Sequence, residues 1–264
     1  MDVNFSLRSS VAILLGIILT GVSANGLSGH ATSVPRNIPI TPAAMAWGLL
    51  GGLRTLGANI AWLRMHTAWT ERDLQATQAW LKMAVSMNPQ SLYFLVNGAR
   101  ILAYDTPAWR LSGQPAPEGV AAQVHHEHSV LALHLLEEGA AWHADNPHWW
   151  IERGNVALNS AHDLSAAATY FRSAAELPEA PFYAARIHAD LLLRLGRAAE
   201  AHAWLCQVHR SLPANNPAAQ SGRILLKIRD LEAQLQLPAA RLYEPKDGAV
   251  DPTTDGIKGM PDGL

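Results

Sequence analysis

Two stretches decide the fold: DLSAAATYFRSAAEL at residues 163–177 and RAAEAHAWLCQVHRS at residues 197–211. Ala167, Phe171 and Ala174 of the first are answered at an interval of 34 by Ala201, Leu205 and Val208 of the second. Prolines follow each set, Pro178 and Pro181, then Pro213 and Pro217. Within each stretch the apolar residues recur every three or four positions, which is helical spacing. A fixed period of 20–50 residues is the signature of stacked supersecondary units, so the echo predicts a helical repeat array.

The same phase carries upstream. A first unit falls near Ala58–Ser91, with Ala61, Arg64, Met65 and Ala68 on its first helix and Thr77, Leu81 and Ala84 on its second. A second opens with Leu92–Tyr104, carrying Leu95, Gly98, Ala99 and Leu102. Asn146-Pro147 lies 58 residues beyond Asn88-Pro89, an excess of 24 over one period. Asp105–Ala122, with Pro107, Pro115 and Pro117, takes up that excess as an insertion, and lengthening a loop costs little closure entropy. Val124–Ala144 resumes the second helix. The third unit is His148–Pro181 and the fourth Phe182–Asn215, with Gly196 at its turn. Ile224, Leu225, Ile228, Leu231 and Leu235 then mark a capping helix in Asn216–Leu237.

This pattern resembles the tetratricopeptide repeat family over residues 58–215, most closely in the last two units. The resemblance implies an all-α, right-handed α-solenoid of about four helix pairs over 42–241. Three segments, GGLRTLGANIAWLR (51–64), NGARILAYDTPAWR (97–110) and APFYAARIHADLLLRLGR (180–197), are similar to exported or membrane-anchored bacterial proteins of that family that have no assigned activity. The likeness therefore implies fold and export alone.

Composition sets the class. Apolar residues make up 49% and charged ones 16% of 264 residues, against roughly 25% charged on average, which points to apolar surface meeting a membrane or a partner. A net charge of −2 gives no footprint for nucleic acid. The single cysteine, Cys206, excludes an intramolecular disulfide and reads as a small buried hydrophobe.

No Asp, Glu, Lys or Arg occurs from Ser9 to Pro35, and Val11–Val22 is strongly apolar. At 12 residues that run is short for a bilayer span of about 20 and suits a signal-peptide core, with Val22-Ser23-Ala24 before a cleavage point. Extended through Leu27 it becomes an uncleaved anchor instead. Residues 1–24 are thus a signal peptide or membrane anchor, either of which predicts export to the outer side of the cytoplasmic membrane. Residues 25–41 read as a linker. Thr41-Pro42 is a helix start, and Ala43–Arg54 is the second most apolar stretch, interrupted by Gly51-Gly52. Residues 242–264, rich in Pro and Gly, read as a disordered tail.

Stacked helix pairs create a groove, and the family resemblance lines it with the first helix of each pair. By position the groove candidates are Tyr93, Arg100, Tyr104, Trp149, Glu152, Asn159, Tyr183, Arg186, Asp190 and Arg194. Aromatic and Arg residues are the usual hot-spot types at interfaces. Trp109 and Arg110 project from the insertion as a further contact point. The densest ionisable cluster is His125-His126-Glu127-His128. It lacks the second His of a His-Glu-x-x-His zinc helix and reads as solvated helix surface, with His125 and His128 as weak metal candidates at i, i+3. No cofactor motif and no catalytic constellation is present. The expectation is a non-catalytic scaffold of the bacterial envelope that binds a protein or peptide, with membrane contact through the N-terminal segment. The alternative is a metal-binding protein or metal-dependent hydrolase built on residues 125–148.

Overall fold

A computed structural model describes residues 42–112, 117–213 and 216–245 of the chain. The signal or anchor segment, the linker, part of the insertion and residues 246–264 of the expected tail lie outside the described residues. The chain divides into two compact units, Met1–Leu49 and Leu50–Leu264. Of the first, only the opening of one helix is described; the packed helices belong to the second.

The described residues contain helices and no strands. In order these are α1 (Pro42–Thr70), α2 (Leu74–Met87), α3 (Leu92–Arg100), α4 (Thr106–Leu111), α5 (Glu118–Glu137), α6 (Ala140–His143), α7 (Pro147–Asn159), α8 (Leu164–Ala175), α9 (Phe182–Arg194), α10 (Ala198–Ser211) and α11 (Ser221–Gln234). Helices adjacent in sequence pack as neighbours, most extensively α7 with α8 and α8 with α9.

Local chemistry starts these helices. Side chains of Asp73, Ser91, Asn146 and Asp163 accept from the backbone N–H of Ala76, Phe94, His148 and Ala166, each satisfying a donor that a helix start leaves free. Asn146-Pro147 thereby opens α7, with Pro in the first turn, where its missing N–H costs nothing.

The turns show the period most directly. Arg72, His162 and Gly196 all adopt left-handed φ values, 56°, 55° and 74°. His162 and Gly196 are 34 residues apart, and each of the three lies two residues before the first residue of the next helix. Glycine is free of the Cβ penalty at Gly196; Arg72 and His162 carry it, at roughly 1–2 kcal/mol each. The backbone N–H groups of Asp73, Asp163 and Arg197 close the turns onto Ala68, Ala157 and Leu192 carbonyls at 3.0, 2.9 and 2.8 Å.

In the second pair, the same phase falls on Thr106, and no turn forms there. Instead α3 runs into a π-helical turn, Ile101–Asp105, and on into α4. The insertion is thus helical at its start rather than a loop throughout. Ser160 Oγ donates to the Ala103 carbonyl inside that turn at 3.0 Å. Trp69 Nε1 donates to Asp105 Oδ2 at 2.9 Å. Thr106, fully buried, donates to the Leu102 carbonyl at 2.8 Å.

The repeating residues are core. Ala167, Phe171, Ala174, Ala201 and Leu205 are buried, while Val208 is partly so. Phe171 lies so close to α7 that a Cβ at Gly154 would stand 2.8 Å from its ring, so glycine is what admits the ring. Trp62 stacks on Phe94 at 4.9 Å in the first pair's core. Cys206 is buried and free, as expected.

The tail boundary needs correction. Tyr243 is buried in the cluster formed by Leu205, Ile224, Ile228 and Leu231. Its hydroxyl lies 2.9 Å from His209 Nδ1, its backbone N–H donates to Glu232, and its carbonyl accepts from Arg229 at 2.9 Å. A Pro- and Gly-rich composition concealed one aromatic residue whose polar ends all find partners, the buried His209 and Glu232 and the half-buried Arg229.

Candidate functional site

Two helices present the same polar spacing. On α3 and the π-turn after it, Tyr93, Asn97, Arg100 and Tyr104 follow at intervals of four, three and four. On α7, His148, Glu152, Asn155 and Asn159 do the same. That spacing puts each set on one helix face, and α3 packs beside α7. A cleft of about 350 Å³ opens between them, lined by Leu92, Tyr93, Val96, Asn97 and Arg100 of α3, by His148, Ile151, Glu152 and Asn155 of α7, and by Tyr183 of α9.

The centre of the cleft is an ion pair. Arg100 Nε and Nη2 donate to Glu152 Oε1 and Oε2 at 2.9 and 2.7 Å. The Glu152 side chain is 3% exposed and that of Arg100 54%. The pair is therefore anchored at the carboxylate and open at the guanidinium, whose Nη1 has no partner among the described residues. Hydrogen bonding to Glu152 raises the Arg100 pKa against the opposing effect of burial. Beyond it, Tyr104 is raised by burial and by the Glu152 charge, which outweigh a hydrogen bond from Asn159. The phenol keeps its proton at neutral pH.

Six of the ten groove candidates thus meet here: Tyr93, Arg100, Glu152 and Tyr183 line the cleft, and Tyr104 and Asn159 extend its polar row. Asn97, His148 and Asn155 are members that sequence reading passed over, although the four-three-four spacing marked them. Trp149 is not a groove residue. It is 1% exposed, and its Nε1 donates to the Leu136 carbonyl at 2.9 Å, because the apolar face of α7 turns it into the first core. Arg186, Asp190 and Arg194 do not line the cleft; Asp190 instead faces Lys227 Nζ at 3.9 Å.

Trp109 is half-buried and Arg110 exposed, and both have partners within this chain. Trp109 lies 6.4 Å from the Trp69 ring, and Arg110 Nη1 donates to Glu127 Oε2 at 2.9 Å. Arg110 also sits 3.3 Å from Nε2 of His128. His128 is buried, which corrects the solvated-surface reading at that one residue, while His126, Glu127 and His134 are exposed. Thr106 Oγ1 has spent its proton on Leu102, so at 2.7 Å it accepts from His128 Nδ1–H. Nε2 is then left as acceptor for Arg110. Burial, reinforced by the Arg110 charge, lowers the His128 pKa. With Nδ1 against Thr106 and the Nε2 lone pair turned to Arg110, both nitrogens of His128 already have partners other than a metal shared with His125. Among the described residues no group of three or more His, Cys, Asp or Glu side chains is placed to hold a metal ion.

Two other places resemble sites. A larger cleft, about 560 Å³, lies between α5 and the α7–α8 turn. Its Asp163 carboxylate is spent on the α8 N-terminus and its Ser129 hydroxyl on the His126 carbonyl, which leaves few convergent polar groups. Near the C-terminus, Cys206 Sγ lies 3.6 Å from His202 Nε2, which lies 3.5 Å from Glu232 Oε1. A nucleophilic relay needs the thiol on one ring nitrogen and the acid on the other. Here both contacts fall on Nε2, and burial and the Glu232 charge push the thiol pKa up. Burial works to raise Glu232 itself, but the Tyr243 N–H and Arg229 outweigh it and keep it low. The cluster fastens Tyr243.

No protein-family model matches the chain, and no curated protein matches it.

Proposed function

We propose that the chain is a non-catalytic interaction scaffold of the bacterial cell envelope, a tetratricopeptide-type right-handed solenoid of about four helix pairs, exported and held at or released from the outer side of the cytoplasmic membrane. Its ligand is a peptide or protein segment bound in the α3–α7 cleft. The observation that carries this reading is the convergence in that cleft of two exposed tyrosines, an ion pair open on its Arg side and three flanking amide or imidazole side chains, from helices far apart in sequence. Aromatic and Arg anchors surrounded by hydrogen-bonding groups suit a peptide backbone better than a small apolar ligand. The recurrence of the left-handed turn residue at His162 and Gly196 supports the repeat reading.

A photo-crosslinking residue in place of Asn155, compared with one in place of the exposed Gln207 on α10, tests the cleft in intact envelopes. Crosslinks from position 155 that disappear in Tyr183→Ser are the expected result. Identical partners from both positions, undiminished by Tyr183→Ser, would show that binding occurs elsewhere.

A further inference from the structure

Helix α1 has two apolar faces. Ala58, Ala61 and Met65 are buried in the first core, and Ala68 is buried on the same side. On the other side Leu53, Leu56, Ile60 and Leu63 are 56%, 48%, 51% and 66% exposed. Their spacing of three, four and three makes a straight stripe about 15 Å long at 1.5 Å per residue. The hydroxyls of Thr55, Thr67 and Thr70 turn back onto the carbonyls of Gly51, Leu63 and His66 at 3.1, 3.2 and 2.8 Å. These three hydroxyls therefore have little demand for water, while Asn59, Arg64 and His66 are exposed beside the stripe.

Charge narrows what covers the stripe. The 29 residues of α1 hold no carboxylate, and Arg64, one turn beyond Ile60, borders the stripe. From α1 through α2 the cations Arg54, Arg64, Arg72 and Lys82 face only two anions, Glu71 and Asp73, in a chain whose net charge is −2. A second copy would bring the same Arg64 to the seam without an acid to meet it. It would also bury too little. Four half-exposed aliphatic side chains at about 100 Å² each when whole give roughly 450 Å² for the pair, against about 1,200 Å² for a stable interface. Among the described residues no helix is long and apolar enough to cross a membrane. An apolar stripe on one side of a carboxylate-free helix instead suits the plane of a bilayer surface. The apolar run Val11–Val22 ends 20 residues before α1 starts, a tether of at most about 70 Å if that run is retained in a membrane.

We propose that the Leu53–Leu63 stripe of α1 lies in the headgroup region of an anionic bilayer, with Arg64 meeting lipid phosphates, so that the membrane itself is a ligand of this surface. The test uses the full chain with Cys206→Ser and a single environment-sensitive probe on Ile60→Cys, or on Gln207→Cys as the reference. Depth is read against spin-labelled lipid in vesicles of phosphatidylethanolamine and phosphatidylglycerol, and again in phosphatidylcholine. The probe at 60 is expected about 5–10 Å below the headgroup level in the anionic vesicles and shallower in phosphatidylcholine, with the probe at 207 in water throughout. A water-exposed probe at 60 on vesicle-bound protein, or no binding, overturns the proposal. Equal depth in both vesicles removes the part played by Arg64. A probe at 60 that is dry without vesicles, together with a dimeric mass on sedimentation, assigns the stripe to a second copy and also overturns it.

Discussion

Replacing Arg100 by Met leaves the Glu152 carboxylate buried without its cation. Two charge-assisted hydrogen bonds, 2.9 and 2.7 Å, disappear. Breaking a buried pair by removing one partner costs about 3–5 kcal/mol. Here one side is open: Glu152 is 3% exposed but Arg100 54%, so water partly replaces the guanidinium and screens the loss. We expect about 2 kcal/mol, which is a fall of about 4–8 °C in Tm for a domain of this size. The mirror change is cheaper. Glu152→Gln removes the buried charge and keeps an acceptor, while Arg100 stays hydrated, so it costs about 1 kcal/mol or less. Combining Arg100→Met with Glu152→Gln removes both charges and costs less than the sum of the singles, with a coupling of about 1–2 kcal/mol. Urea unfolding followed by far-UV circular dichroism measures all four proteins. Equal costs for Arg100→Met and Glu152→Gln, or a double variant equal to the sum, would refute the asymmetry of burial from which the cleft is built.

The C-terminal anchor and the buried histidines give further tests. A chain ended at Arg241 loses the buried Tyr243 ring and should be about 3–5 kcal/mol less stable than one ended at Pro245, whereas equal unfolding midpoints would place Tyr243 outside the core. His128, His188 and His209 are all lowered in pKa, each chiefly by burial. Between their folded values and the ordinary value near 6.5 the unfolded chain binds more protons. Stability should therefore be full above about pH 6.5 and decline as pH falls below it, and the decline should be smaller in His188→Gln. A flat midpoint from pH 7.5 to 5.5 would contradict the burial of these rings.

What the sequence by itself determined is whatever short-range chemistry dictates. The apolar spacing of Ala167, Phe171 and Ala174 marked a buried helix face because that face repeats every 3.6 residues whatever its neighbour. The starts at Asp73, Asp163 and Asn146-Pro147 are equally local, since a cap bonds within three residues, although the repeat phase in the sequence marks Asn146-Pro147 only as the close of a unit. Gly196 was legible as a turn for the same reason, and the polar rows on α3 and α7 were written in their spacing.

Only the tertiary structure decided which rows meet. Arg100 and Glu152 are 52 residues apart, and the chain between them includes an insertion whose first part continues as helix through a π-turn. No local preference announces that turn; Ser160 at the end of α7 and Trp69 of α1 add hydrogen bonds to it. The same holds for Trp149, His128 and Tyr243. Each is an amphipathic side chain that suits surface or core equally well, and each was placed inside by a distant partner, the Leu136 carbonyl, Thr106 and His209 respectively. A buried polar group is stable only where such a partner stands, and its location is fixed when the helices pack.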